Sequence, residues 1–229
     1  MTRFMNYRAN GNMAYVPTPF EHVANIVTHG IFIIPAAYCL FFMIERSQTP
    51  TQYFNALVYG GALIALFTMS TTWHTISYTG ACRGCKDFFH IGDRAVIYIF
   101  IAASYTPWLT MKRVLSDGSQ WVYLMWMLAF LGIVYQYTFH EKHKWLATLF
   151  YVGVSLVPGL GFAWMCTHDL SGVHEMALGG AFFLTGVVFF KSDGLVPFAH
   201  AIWHLFVVAG AACQLYAVCK YLMIPMATA

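Results

Sequence analysis

The sequence predicts an all-α, polytopic membrane protein with seven transmembrane helices and a cytosolic N-terminus. Three observations predict it. Of 229 residues, 59% are hydrophobic and 9% are charged, whereas a soluble domain carries roughly 25% charged residues. Such a chain cannot cover a water-facing surface. The apolar residues gather into seven runs, at 22–44, 54–77, 88–110, 121–139, 145–165, 173–190 and 198–222, each near the ~20 residues a bilayer requires. The connections are short, so neighbouring helices are expected to pack antiparallel.

This divides the chain into a polar tail over 1–21, one seven-helix domain over 22–222 and a short tail over 223–229. In the first tail, Val16-Pro17-Thr18-Pro19 favours an extended approach to the membrane. It has no apolar signal-peptide core, so the first run is expected to serve as the insertion signal. Pro107 in the third run and Val157-Pro158-Gly159 in the fifth predict kinks. Gly60-Gly61, Gly132, Gly153 and Gly179-Gly180 allow close helix contact. The sixth run is short.

Lysine and arginine set the orientation. With the N-terminus in the cytosol, Arg3, Arg8, Arg83, Lys86, Lys142, Lys144 and Lys191 lie inside, against Arg46, Lys112, Arg113 and Lys220 outside. The net charge of +3 is small and spread over the loops, which argues against a nucleic-acid surface. Cys39, Cys213 and Cys219, and Cys166 at the edge of its run, read as small apolar residues. Cys82-Arg83-Gly84-Cys85 lacks the second pair a four-cysteine zinc site needs, and reads as two loop cysteines, with palmitoylation or redox chemistry as the alternatives.

Against this apolar background the intramembrane polar residues stand out. The first run opens with Glu21, His22, Asn25, Thr28 and His29. The second closes with Ser70 and His74. The third opens with His90, Asp93 and Arg94, and the seventh with His200 and His204. In an up-and-down bundle those starts share one leaflet with that end. The opposite leaflet has nothing comparable, because His168, Asp169, His174 and Glu175 fall in or beside a loop.

His200 and His204 are four residues apart, so they lie on one helix face. Two imidazoles at that spacing can reach one ion, and His74 supplies a third. Three protein ligands plus a water make a catalytic-type zinc site. Such a zinc lowers the pKa of the water toward ~7 and polarises a carbonyl. Imidazole also suits copper, iron and nickel. Asp93 can act as general base, and Ser70, one turn from His74, can steady the water or a developing oxyanion. Each residue also has a plainer reading. His22, His29 and His90 can be interhelical hydrogen-bond partners, with His90 alternatively a fourth ligand or a support for one. Glu21 and Asn25 are expected to satisfy backbone or side chains near the site. Thr28 can bond back to its own helix. Arg94 can pair with Asp93 or snorkel to headgroups, and Ser70 can be a helix-contact serine. His140-Glu141-Lys142-His143-Lys144 reads as a solvated turn.

Glu21-x3-Asn25-x2-Thr28-His29, Ser70-x3-His74, Asp93 and His200-x3-His204 together resemble the motif set of the progestin and adipoQ receptor (PAQR) family, which includes the adiponectin receptors and the bacterial hemolysin III proteins. The similarity runs from about residue 4 to 222. Three further stretches, Arg3–Arg8, Ile101–Trp108 and Val187–Gly194, resemble the family's monocyte to macrophage differentiation factor branch. The resemblance implies seven helices, an N-terminus in the cytosol, zinc on His74, His200 and His204, and Asp93 and Ser70 beside the metal's water. It implies a site like that of alkaline ceramidases, acting on ceramide-like or acyl lipids. The branch implies Golgi or late endosomal/lysosomal membranes, macrophage activation and Ras/ERK-type signalling, with a small GTPase as a candidate partner. Asp93-Arg94 departs from the Asp-His that many members carry. The tails are shorter than those of adiponectin receptors.

Three function classes follow. One is a zinc hydrolase of lipid amides or esters. The second is a signalling protein or scaffold in which the metal is structural. The third is an ion or proton pathway, disfavoured because the outer half lacks polar residues.

Overall fold

The computed structural model describes residues 3–11, 13–112, 118–139, 142–165 and 169–223. The described residues are all-α. The helices are α1 (Pro19–Gly30), α2 (Ile33–Arg46), α3 (Pro50–Thr79), α4 (Lys86–Met111), α5 (Gly118–Thr138), α6 (Lys144–Met165), α7 (Val173–Phe190) and α8 (Ala199–Tyr221), with a short 3₁₀ turn at Arg83–Cys85. Arg113, His140, Glu141, Cys166 and His168, which enter the charge count and loop readings above, lie outside the described residues.

Among the described residues, six segments are long and apolar enough to cross a membrane: Pro19–Arg46, Pro50–Thr79, Ser119–Thr138, Trp145–Ala163, Val173–Phe190 and Ala199–Tyr221. The protein is therefore a multi-pass type. The third expected span, α4, has 26 residues but is not among the six. Asp93, Arg94 and the stretch Ser104-Tyr105-Thr106-Pro107 lower its hydropathy. It packs against α3 and α5 and buries Tyr98, Ala102, Ala103 and Trp108 completely.

The first expected helix is two. α1 stops at Gly30, and its end tightens, with Phe32 N–H bonded to His29 O at 3.0 Å. Pro35 explains the break. Its ring would collide with the carbonyl of Ile31 in an unbroken helix, and it has no N–H to continue the ladder. Pro107 and Pro158, by contrast, stay inside α4 and α6.

Capping sets where the polar residues begin. Thr18 and Glu21 form a reciprocal capping box ahead of Pro19, so α1 starts where its histidines can face inward. α3 starts after Thr49, which caps it, and ends at Gly80 in the left-handed region at φ 67°. α7 and α8 touch at Gly179 and Gly210, where a Cβ on either would sit 3.0 Å from the other's carbonyl oxygen. Only glycine allows the two backbones to come this close.

The N-terminal segment is extended at Thr18, with φ −70° and ψ 164°, as expected, and the residues before it fold over the end of the bundle. The Phe4 ring packs 5.5 Å from Phe20 and 6.0 Å from Phe198. The Asn6 N–H donates to Tyr15 Oη at 3.0 Å. At the other end of the bundle, Lys112 Nζ bonds the carbonyls of Asp169 and Ser171 at 2.8 and 2.6 Å. The two loop cysteines Cys82 and Cys85 are joined as a disulfide, the redox alternative above. Cys39, Cys213 and Cys219 remain free thiols.

Candidate metal site

α3 and α8 bring three histidines to one point. Ligand-type atoms of His74, His200 and His204 all lie within 4.8 Å of one another. The ring centroids of His74 are 5.0 and 5.1 Å from those of His200 and His204. His74 is 4% exposed and His204 is 2% exposed. His74 Nε2 is buried without a hydrogen-bond partner, a costly arrangement unless something accepts its lone pair or proton.

The other two imidazoles are held by their far nitrogens. Thr28 Oγ1 donates to Ala24 O at 2.8 Å, so its lone pair is what meets His204 Nδ1 at 3.0 Å. His204 then carries its proton on Nδ1, a tautomer assigned from this bonding. His200 Nδ1 lies 3.5 Å from Asp193 Oδ2. In both rings Nε2 is left as the atom to give to a metal, the usual arrangement of ligating histidines. The donor set and its orientation fit a metal ion.

Thr28 does bond back to its own helix, as expected, but its contact with His204 was not anticipated. Nothing local in the sequence marks it, because the partner is on another helix. Asp193 was not anticipated either. The one available signal was an acidic residue in the turn just before His200-x3-His204.

The remaining expected residues distribute as follows. Ser70 is buried on α3, one turn before His74. Its Oγ has no well-formed partner but sits beside the Asp93 carboxyl. Asp93 also lies within electrostatic reach of His200 and Arg94. The Arg94 carbonyl accepts from Tyr151 Oη at 3.2 Å. His29 stacks on His204 with centroids 3.8 Å apart, and packs on Phe67 at 5.1 Å. It therefore backs the face of a candidate ligand. His90 instead stacks on Trp73 at 4.2 Å and is outside the three-histidine group. His22 leans on Tyr78 at 5.4 Å. Asn25 is 1% exposed, and neither amide atom has a partner. Glu21 belongs to the helix cap. It accepts from Thr18 N–H at 2.8 Å and from Tyr15 Oη at 3.0 Å. Burial, reinforced by the Glu21 carboxylate, pushes the Tyr15 hydroxyl up to about 12.

The three histidines open onto a cavity of about 1240 Å³. His22, Asn25, Ser70, His90, Asp93 and Arg94 line its polar end. Ile97, Ile101, Leu156, Leu160, Phe162 and Leu184 carry it on as an apolar channel between α4, α6 and α7.

Residues 19–215 match the family model for haemolysin-III related proteins. The chain is 43% identical over 221 residues to the monocyte to macrophage differentiation factor of Homo sapiens, covering 96% of this chain and 92% of that protein. The Mus musculus protein of the same name gives the same values, 43% over 221 residues. Similarity extends to the hemolysin-3 of Bacillus cereus, 31% identical over 211 residues, covering 89% of this chain and 92% of that one.

Proposed function

Because the chain belongs to the haemolysin-III related (PAQR) family, in its monocyte to macrophage differentiation factor branch, we propose that it is a zinc-dependent hydrolase of a lipid amide or ester, and that this activity modulates signalling from an internal membrane. One observation carries the proposal. Three imidazole donors within 4.8 Å of one another stand at the head of a cavity of about 1240 Å³, with a carboxyl and a hydroxyl beside them. Small-molecule pockets run to ~1,000 Å³, so this cavity has room for an acyl chain as well as a headgroup.

His74, His200 and His204 would hold the zinc, which would supply Lewis acidity and activate the hydrolytic water. Asp93 takes the proton from the attacking water and returns it to the leaving amine or alcohol. Ser70 donates to the carbonyl oxygen as charge builds there. The apolar channel holds the acyl chain and keeps bulk water away from the reacting carbonyl.

The seven runs cross as seven spans with the N-terminus in the cytosol. The burial of α4 inside the bundle supports its crossing despite its lower hydropathy. The lysine and arginine balance supports the orientation. The organelle is Golgi or late endosomal/lysosomal. Engineered glycosylation sites in each loop and a fluorescent fusion test these two points.

A second reading keeps the metal structural, with the protein acting as a scaffold. Lys86 and Lys142 are exposed and would present positive charge to anionic lipid or a small GTPase. One experiment separates the readings. Metal content is measured by mass spectrometry on detergent-purified protein, with His74→Ala and His200→Ala beside it, followed by turnover of ceramide-like and acyl lipids. One zinc per chain, lost in both variants together with turnover, supports the hydrolase. Zinc with no turnover, and lower thermal stability in the variants, supports the scaffold. A metal-free, well-folded wild type refutes both.

A further inference from the structure

We infer that Asp193 is a positioning residue for the metal site, the carboxylate that orients His200 and sets its tautomer. This rests on the zinc reading above. The turn between α7 and α8 is built to hold Asp193 in place. Leu195 N–H and Val196 N–H both bond Ser192 O, at 2.9 and 3.0 Å. Gly194 takes a left-handed φ of 77°, and its α-carbon faces the Arg8 backbone so closely that a Cβ there would lie 2.5 Å from Arg8 Cα. The folded-over N-terminal segment therefore clamps the turn from outside. Phe198 then enters α8 at φ 58°, a strained value for an aromatic residue, with its ring beside Phe4. These constraints bring Asp193, seven residues before His200, back onto His200's outer nitrogen.

The result is a carboxylate–histidine pair of the kind that supports metal-ligating imidazoles. Asp193 Oδ2 lies 3.5 Å from His200 Nδ1, with the two side chains 25% and 21% exposed. At this separation the carboxylate faces the imidazole at ion-pair range, slightly beyond a closed hydrogen bond. The contact favours the proton on Nδ1 and leaves the Nε2 lone pair free for a metal shared with His74 and His204. Thr28 performs the same task for His204 with a neutral oxygen. The two α8 ligands are thus supported unequally, one by an anion and one by a hydroxyl.

The test measures the zinc dissociation constant of the full-length, detergent-purified protein by competition with a chromophoric chelator. The proteins are wild type, Asp193→Asn, Asp193→Glu and Asp193→Ser. Asn is expected to weaken zinc about 10- to 100-fold while one ion per chain still binds at saturation. Glu is expected to recover part of the loss. The visible band of the cobalt-substituted protein is expected to shift in Asn and to move back in Glu. Ser keeps the turn without the charge, and stands in should Asn not fold. Unchanged zinc affinity in Asn or Ser, whatever their thermal stability, makes Asp193 a turn residue only and overturns the inference. A wild type that binds no zinc overturns the metal reading itself, and this inference with it.

Discussion

Replacing Thr28 by valine tests the site through an atom that touches no metal. Valine keeps the shape and the β-branch, so the helix and the local packing barely change. What is lost is the oxygen 3.0 Å from His204 Nδ1. When Nε2 gives its lone pair to a metal, Nδ1 must carry the proton, and that proton needs an acceptor. His204 is 2% exposed, so water does not replace the hydroxyl. A buried donor left unsatisfied costs about 1–3 kcal/mol. In the metal-free protein the proton can move to Nε2, and most of that cost is avoided. The penalty therefore falls on binding, and converts to zinc affinity about 5- to 150-fold weaker. The metal-free protein loses only the back-bond that the hydroxyl shares between Ala24 O and Asn25 O, worth about 1 kcal/mol or less. Chelator competition reads the affinity, and thermal unfolding in zinc-free detergent reads the rest. If the valine protein binds zinc like wild type, His204 does not use the Thr28 oxygen in the bound state, and the orientation argument fails.

Three further outcomes follow from the same geometry. Asp93→Asn is expected to keep one zinc per chain while lipid turnover falls at least 100-fold, the lower end of general acid–base contributions; assays of metal content and product on the same sample check both halves. Lys112→Met removes a cation with 7% side-chain exposure that bonds the Asp169 and Ser171 carbonyls, and should destabilise the fold by about 1–3 kcal/mol, read as a lower unfolding midpoint with zinc affinity unchanged. The Tyr15 hydroxyl is raised from 10.0 to about 12, so the stability it contributes is complete below pH ~10 and is lost as pH rises through its folded value. Proteolysis of the N-terminal segment should therefore accelerate across that window, and Tyr15→Phe should remove the step.

Six of the expected spans were legible because a bilayer imposes a length and a composition that any run of ~20 residues displays on its own. The break in the first span was also written in the sequence, at Pro35, but the apolar run hides it when hydropathy alone is read. α4 shows the converse. Its polar residues lower its hydropathy, yet burial against other helices lets them remain. In the site, His200 and His204 were readable as a pair because helical periodicity is a local property. That His74, Ser70 and Asp93 gather at the same end followed from the alternation of short-looped helices.

What the sequence determined by itself is therefore local: the apolar runs long enough to span a bilayer, and the shared face of the α8 histidines. Tertiary structure decided which residues support those histidines. Glu21 turned out to serve the cap and Tyr15, while Thr28 and Asp193 reached the imidazoles. It also placed His29 flat against His204 and His90 against Trp73. The physical reason is reach. A hydrogen bond must close to within a few tenths of an ångström, and that precision comes from where whole helices and turns come to rest. Here it depends on the α7–α8 approach at Gly179 and Gly210, and on the clamp of Arg8 over Gly194. No window of sequence contains both sides of either contact.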